Sequence, residues 1–155
     1  MTMARTGTET VVRSLNELLC DEFVIYVKTR NYHWNVTGPQ FRDLHKLFEE
    51  QYETLNLFID EIAERVRALG GQALGSLQAF LKGSHVKEDS SQTLDSEGMI
   101  THLLRDHEII VRRLRESVET AKQSHDYASE NFLAGLIEKH DKMAWMLRST
   151  LEGGR

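Results

Sequence analysis

The chain is poor in residues that interrupt or cross-link a polypeptide: its 155 positions hold one proline and one cysteine. A single cysteine, Cys20, excludes an internal disulfide, and its place in the apolar stretch LLCDEF suits a buried, reduced thiol. With only Pro39 to break them, the segments on either side are free to run as long helices. Long apolar runs are missing too. The longest clean one, FVIYV, is far too short to cross a bilayer. The opening MTMARTGTET holds no apolar h-region, so no secretory signal is expected, and together with the lone thiol this predicts a cytoplasmic protein without a membrane partner. There is no basic excess either: 19 Lys and Arg against 24 Asp and Glu give a net charge of −5, which offers no general attraction to nucleic acid or anionic lipid.

What the chain does have is an ordinary globular composition, 40% apolar and 28% charged, and enough length for one domain with a real core. Its glycines cluster at VTGP, LGGQALG, LKGS, SEG and EGGR, reading as punctuation between helices. From about Thr10 to His33, Val11, Leu15, Leu18, Leu19, Ile25 and Tyr26 recur at helical spacing. Thr37, Gly38 and Pro39 then offer a cap and a first-turn proline for a second helix. Its stripe is Phe41, Leu44, Phe48, Tyr52, Leu55, Ile59, Ile62, Val66 and Leu69, and Gly70 and Gly71 close it. A linker follows with a short helix around SLQAFL. A third helix is expected from about Ser96 to Gln123 through Ile100, Leu103, Leu104, Ile110, Val111, Leu114 and Val118, and a fourth from about Tyr127 to Leu151 through Phe132, Leu136, Ile137, Met143, Ala144 and Leu147. No strand pattern competes. The expectation is an all-α four-helix bundle over 10–151, with a long crossover carrying a short extra helix between its second and third helices, a short tail over 1–9 and another over 152–155.

Metal-binding chemistry is suggested beside the core stripe of the second helix. Measured from Leu44, His45, Glu49, Asp60 and Glu64 fall at roughly 100°, 140°, 160° and 200° around the axis. His45 with Glu49 and Asp60 with Glu64 are i,i+4 pairs, the spacing at which two side chains can grip one ion. The pairs stand about 16 Å apart along the axis, too far to share a centre within one chain. Two antiparallel copies of the helix would solve this. The residue numbers of His45 and Glu64 have the same sum as those of Glu49 and Asp60, so one two-fold contact can bring each pair against the partner's other pair. A solvated charged face is the competing reading of the same carboxylates. His33 counts against it, because folding the chain back at Pro39 sets His33 opposite His45. Nitrogen and carboxylate donors of this kind suit iron, zinc or manganese without selecting among them. None of the seven histidines follows a glutamate by three positions, which argues against a Glu-x-x-His centre inside the bundle. His85, His102, His107, His125 and His140 read as surface or satisfied packing histidines.

The stretch YHWNVTGPQFRDLHKLFEEQYETLNLFIDEIAERVRALGG, Tyr32 to Gly71, resembles the signature of the Dps mini-ferritins, the DNA-protection-during-starvation proteins, and DKMAWML resembles their last-helix motif. The resemblance implies a ferritin-like homo-dodecameric shell that oxidises Fe(II), generally preferring hydrogen peroxide to oxygen, and stores the ferric mineral. It makes His33, His45 and Glu49 ligands from one subunit and Asp60 and Glu64 ligands from its partner. Trp34 matches an aromatic beside that centre, with packing at the helix corner as the alternative. Asp126 and Glu130 fall where the family lines an acidic pore, although many relatives carry aspartate at the latter position, and Asp126 could equally serve a helix start. Zinc is a possible competitor for the site. A second function class, DNA compaction, relies in several relatives on lysine-rich tails, whereas this chain offers Arg5 and Arg13 against Glu9 at one end and a single arginine in LEGGR at the other. A third reading is a metal-free or zinc-loaded structural shell.

Overall fold

The computed structural model describes the backbone of residues 2–152 and the side chains of residues 5–152. Five helices follow one another: α1 (Thr2–Asn35), α2 (Phe41–Ala68), α3 (Leu77–Gly83), α4 (Ser96–Gln123) and α5 (Tyr127–Glu152). Among the described residues there is no strand, and no helix is long and apolar enough to cross a membrane. The four long helices form the bundle. Helix α1 packs against both α2 and α4, α5 packs on α4, and α3 lies on α1. The expected stripes meet in one core: Leu15, Leu19 and Ile25 of α1, Phe48, Leu55 and Ile62 of α2, Leu103 and Ile110 of α4, and Leu136 and Leu147 of α5 are all buried. At roughly 1.5–3 kcal/mol for each fully buried large apolar side chain, this stripe matching is what holds four separate helices in one bundle.

Two expected boundaries move. Helix α1 starts at Thr2, so the segment expected as a tail over 1–9 is, from Thr2 on, its first two turns. The reason is partly local and partly tertiary: Thr10 Oγ1 donates to the Thr6 carbonyl (2.9 Å), Arg5 pairs with Glu9, and the Ser124 hydroxyl donates to the Gly7 carbonyl (3.3 Å) at the far end of α4. At the other end, α5 reaches Glu152, and residues 153–155 of the expected tail lie outside the described residues, as does Met1. Helix α2 is not capped by Thr37. It begins at Phe41 after Gln40, with no side-chain cap, because Gly38 at φ 108° turns the chain and accepts from the Phe41 amide (3.0 Å). Pro39 therefore sits in the turn rather than in the first helical position. Phe41, expected in the core stripe, is 44% exposed.

The crossover is fastened along one side of α1. Asn16 bonds the backbone at Gln72 and Leu74, and the buried Asp21 carboxylate accepts from Ser84 and from the His85 amide. Further on, Lys28 donates to the Lys87 carbonyl (2.6 Å) and Tyr32 to Asp89 (2.8 Å). Lys28 also forms a buried ion pair with Asp106 of α4 (2.8 Å), so one side chain ties three segments. Cys20 is buried beneath Gly83, and desolvation, followed by the charges of Asp21 and Glu17, pushes its thiol up to about 11. It is an inert packing residue, as its sequence setting implied.

Inside the bundle three helices contribute to one polar chain. Glu22 of α1, His140 of α5 and His107 of α4 are fully buried. Glu22 Oε1 lies 2.6 Å from His140 Nε2, and His140 Nδ1 lies 2.9 Å from His107 Nδ1. Phe58 of α2 leans over His140 with ring centroids 5.5 Å apart. Glu22 Oε2 and His107 Nε2 have no partner among the described residues. Both histidines are buried in the packing, but His107 is not satisfied as expected, since its Nε2 lacks a partner among the described residues, and the two are joined in a network that apolar periodicity alone could not reveal.

Helices α2 and α4 end in the same way on different residues. After α2, Gly70 (φ 85°) donates to the Arg67 carbonyl and Gly71 to that of Val66, and after α4, His125 (φ 57°) donates to Lys122 and Asp126 to Ala121. Both are left-handed caps, and only the first has the residue that adopts this backbone without steric cost. His125→Gly should therefore stabilise the protein and Gly70→Ala should destabilise it, each by about 1 kcal/mol, read as opposite shifts of the urea midpoint at one protein concentration. A second expectation concerns acid. Desolvation, and then the charge of His140, hold His107 well below its usual pKa, so its neutral form belongs to the folded state. The unfolded chain takes up that proton near pH 6.5. Stability from this residue is thus complete above about pH 6.5 and falls progressively below it. The melting temperature should drop between pH 7.5 and 5.5, with a smaller drop in His107→Leu; equal slopes in the two proteins would show that His107 does not carry the effect.

Candidate metal centre

The corner between α1 and α2 brings two histidines face to face. His33 lies in the last turn of α1 and His45 in the second turn of α2, and their rings stack with centroids 3.9 Å apart at 13°. Each ring is held by the backbone of the other residue: His33 Nδ1 donates to the His45 carbonyl and His45 Nδ1 to the His33 carbonyl, both at 2.7 Å. The His33 carbonyl belongs to the last turn of α1, where no further turn supplies a donor. The bonds also settle the protonation of the neutral rings. A carbonyl oxygen can only accept, so Nδ1 must carry the hydrogen and Nε2 keeps its lone pair. Two Nε2 donors are thereby prepared on one side of the corner, with their orientation fixed by second-sphere bonds.

His33 is buried and His45 half-buried, and their surroundings are aromatic. Tyr52 meets His33 edge-on (5.2 Å) and Phe41 stacks on His45 (5.2 Å). Arg30, one helical turn before Trp34, sits over Tyr52 (4.4 Å), Trp34 (5.3 Å) and Tyr26 (5.6 Å), and donates to the Tyr26 hydroxyl (2.9 Å). Trp34 itself is 62% exposed, so within one chain it does not act as packing at the corner. The cage around Arg30 went unread in the sequence, although Tyr26, Arg30 and Trp34 at successive i,i+4 positions carry its signal.

Glu49 stands one turn beyond His45 and pairs with Lys46 (3.1 Å). The hydrogen bond from Lys46 and then its charge hold the Glu49 carboxyl below its usual range, with smaller contributions from His33 and His45. It is thus a half-buried, ionised carboxylate near the two imidazoles. Asp60 and Glu64 are exposed at the far end of α2, on the arc expected for them. One chain therefore gathers His33, His45 and Glu49 at the corner and leaves Asp60 and Glu64 about 16 Å further along the helix. Among the described residues no three His, Cys, Asp or Glu side chains come together as a metal site within the single chain.

Asp126 starts α5. Its carboxylate accepts from the Ser129 amide (3.0 Å) and hydroxyl (2.6 Å) and pairs with Arg65 of α2 (3.2 Å). Burial would raise this carboxyl, but the Ser129 bonds and the Arg65 charge outweigh it and keep it below the usual range. The helix-start role is thus present, and Glu130 is half-buried one turn into the same helix.

The ferritin-like domain model matches residues 12–155. A low temperature-induced protein of Nostoc sp. is 46% identical over 144 residues, covering 92% of this chain and 80% of the relative. DNA protection during starvation protein 2 of Bacillus anthracis is 37% identical, covering 91% of this chain and 96% of the relative. Among solved structures, a Dps protein from Vibrio cholerae O1, described as a member of a broad superfamily of ferritin-like diiron-carboxylate proteins, superposes with a TM-score of 0.90 at 33% identity, covering 94% of this chain and 91% of that one. The chain belongs to the ferritin-like Dps family.

Proposed function

We propose that the protein is a mini-ferritin that oxidises Fe(II) at centres shared between two copies and keeps the ferric product inside a dodecameric shell. The observation that carries this reading is the pair of Nε2 lone pairs prepared at the α1–α2 corner by reciprocal carbonyl bonds. Iron is the substrate. His33 and His45 supply neutral nitrogen donors for Fe(II), and Glu49 supplies an ionised oxygen donor that favours the harder Fe(III). Asp60 and Glu64 of a second copy, set antiparallel along α2, complete the centre. Leu57 (60% exposed) lies beside the same arc of α2, an apolar side chain that an isologous contact would cover.

Hydrogen peroxide is the proposed oxidant. Two ferrous ions each give one electron to one peroxide, which becomes water with two protons, and no hydroxyl radical is released by one-electron reduction. Zinc, with the same liking for imidazole and carboxylate, competes for the site. Trp34 beside the centre is placed to intercept stray oxidising equivalents. Iron entry past Asp126 and Glu130 at three-fold pores belongs to the same proposal, as does a cytoplasmic setting. DNA compaction is the alternative function, and the acidic balance of the chain disfavours it.

Two measurements test this. Native mass measurement at micromolar concentration and neutral pH should give twelve copies; a monomer or isolated dimer refutes the shell. For the centre, His45→Ala and Asp60→Ala homo-oligomers should each lose rapid peroxide-driven Fe(II) oxidation. Shells assembled from both variants, purified by two tags, should recover part of it, because in a mixed dimer one centre keeps both residues while the other loses both. An intrachain centre recovers nothing, and inactivity of well-assembled mixed shells would sink the shared interface.

A further inference from the structure

Between α4 and α5 runs a groove of about 240 Å³, lined among others by His107, Glu108, Arg112, Arg115, Asp141 and Arg148. We infer that this groove binds a tetrahedral oxyanion carrying a proton, the chemistry of inorganic phosphate. The first support is the buried chain beneath it. His107 Nδ1 is engaged with His140 Nδ1 (2.9 Å), and with His140 as the donor of that bond His107 carries its hydrogen on Nε2. His107 Nε2 is buried and has no partner among the described residues. The ring that bears this atom lines the groove.

The second support is independent of the first. Among the described residues Arg112, Arg115 and Arg148 make no ion pair or side-chain hydrogen bond, although other arginines of the chain, Arg65 and Arg113, are paired with carboxylates. Three guanidiniums around one concavity present planar donor forks suited to the oxygens of an oxyanion. The volume holds such an ion with several waters, each needing about 30 Å³. Glu108 and Asp141 give the groove its selectivity. Unpaired carboxylates repel a fully ionised anion such as sulfate, but accept a hydrogen bond from the P–O–H of phosphate at neutral pH. None of this depends on iron chemistry or on the proposed centre.

Calorimetric titration of the metal-free, assembled protein at pH 7 and low salt tests the inference with inorganic phosphate and sulfate as probes. Phosphate should bind saturably and about ten-fold or more tighter than sulfate, the scale of one charge-assisted hydrogen bond. Arg112→Gln and Arg148→Gln, both at exposed positions, should each weaken phosphate about ten-fold, and Glu108→Gln with Asp141→Asn should erase the preference over sulfate. Circular dichroism and native mass confirm that the variants fold and assemble. No saturable phosphate binding, equal affinity for the two anions, or phosphate binding indifferent to the arginine changes would each overturn the inference. So would arginine variants that alter the assembly without phosphate binding, since the guanidiniums would then pair across copies.

Discussion

Two hydrogen bonds of 2.7 Å across a helix corner fix the geometry of the candidate centre. Each pins one imidazole to the other residue's backbone, and neither ring can turn without breaking a bond in a half-buried setting. The cost of leaving such a donor unpaired, about 1–3 kcal/mol, is what keeps both Nε2 atoms oriented. The corner exists because Gly38 takes a backbone that other residues avoid and lets α2 double back along α1. Everything else in the site extends from that hairpin: Tyr52 braces His33, Phe41 lies on His45, and Glu49 follows by one helical turn.

Most of the architecture was legible as periodicity. The stripes of α2, α4 and α5 and the short helix in the crossover appear where the spacing puts them, and the Gly70–Gly71 stop is a left-handed cap as expected. The start of α1 was not legible, because what supports it includes Ser124, more than a hundred residues away. Thr37 looked like a cap by residue type alone, but a glycine turn upstream decided where α2 begins. Of the candidate centre, the facing of His33 and His45 could be read from their equal distance to the corner. The carbonyl bonds could not, since a backbone acceptor leaves no mark in the sequence. Asp60 and Glu64 share an arc with His45 on a single helix, yet nothing within one chain tests their partnership across copies.

The buried Glu22–His140–His107 chain shows a different limit. Its members lie on three helices, and each alone reads as an isolated polar residue on an apolar face. Only the packing reveals that they meet. Such a network constrains the α1, α4 and α5 registers together, because a shift of one helix by a single turn would strand at least two buried polar groups. It also separates the interior of this bundle from the corner: the polar interior joins α1 to the α4–α5 pair, while the two candidate donors sit on α1 and α2.

The distribution of contacts among the helices has a mechanical consequence. Helix α1 leans on α2 and on α4, and α5 on α4, whereas the contact of α2 with α5 is narrower and includes Phe58 over His140, Gln51, which donates to the Met143 carbonyl, and Arg65, which bonds Ser129 and Asp126. The bundle is therefore two hairpins joined along an α1–α4 spine. Because His33 and His45 lie within one hairpin, a shift of one hairpin against the other leaves the distance between them unchanged.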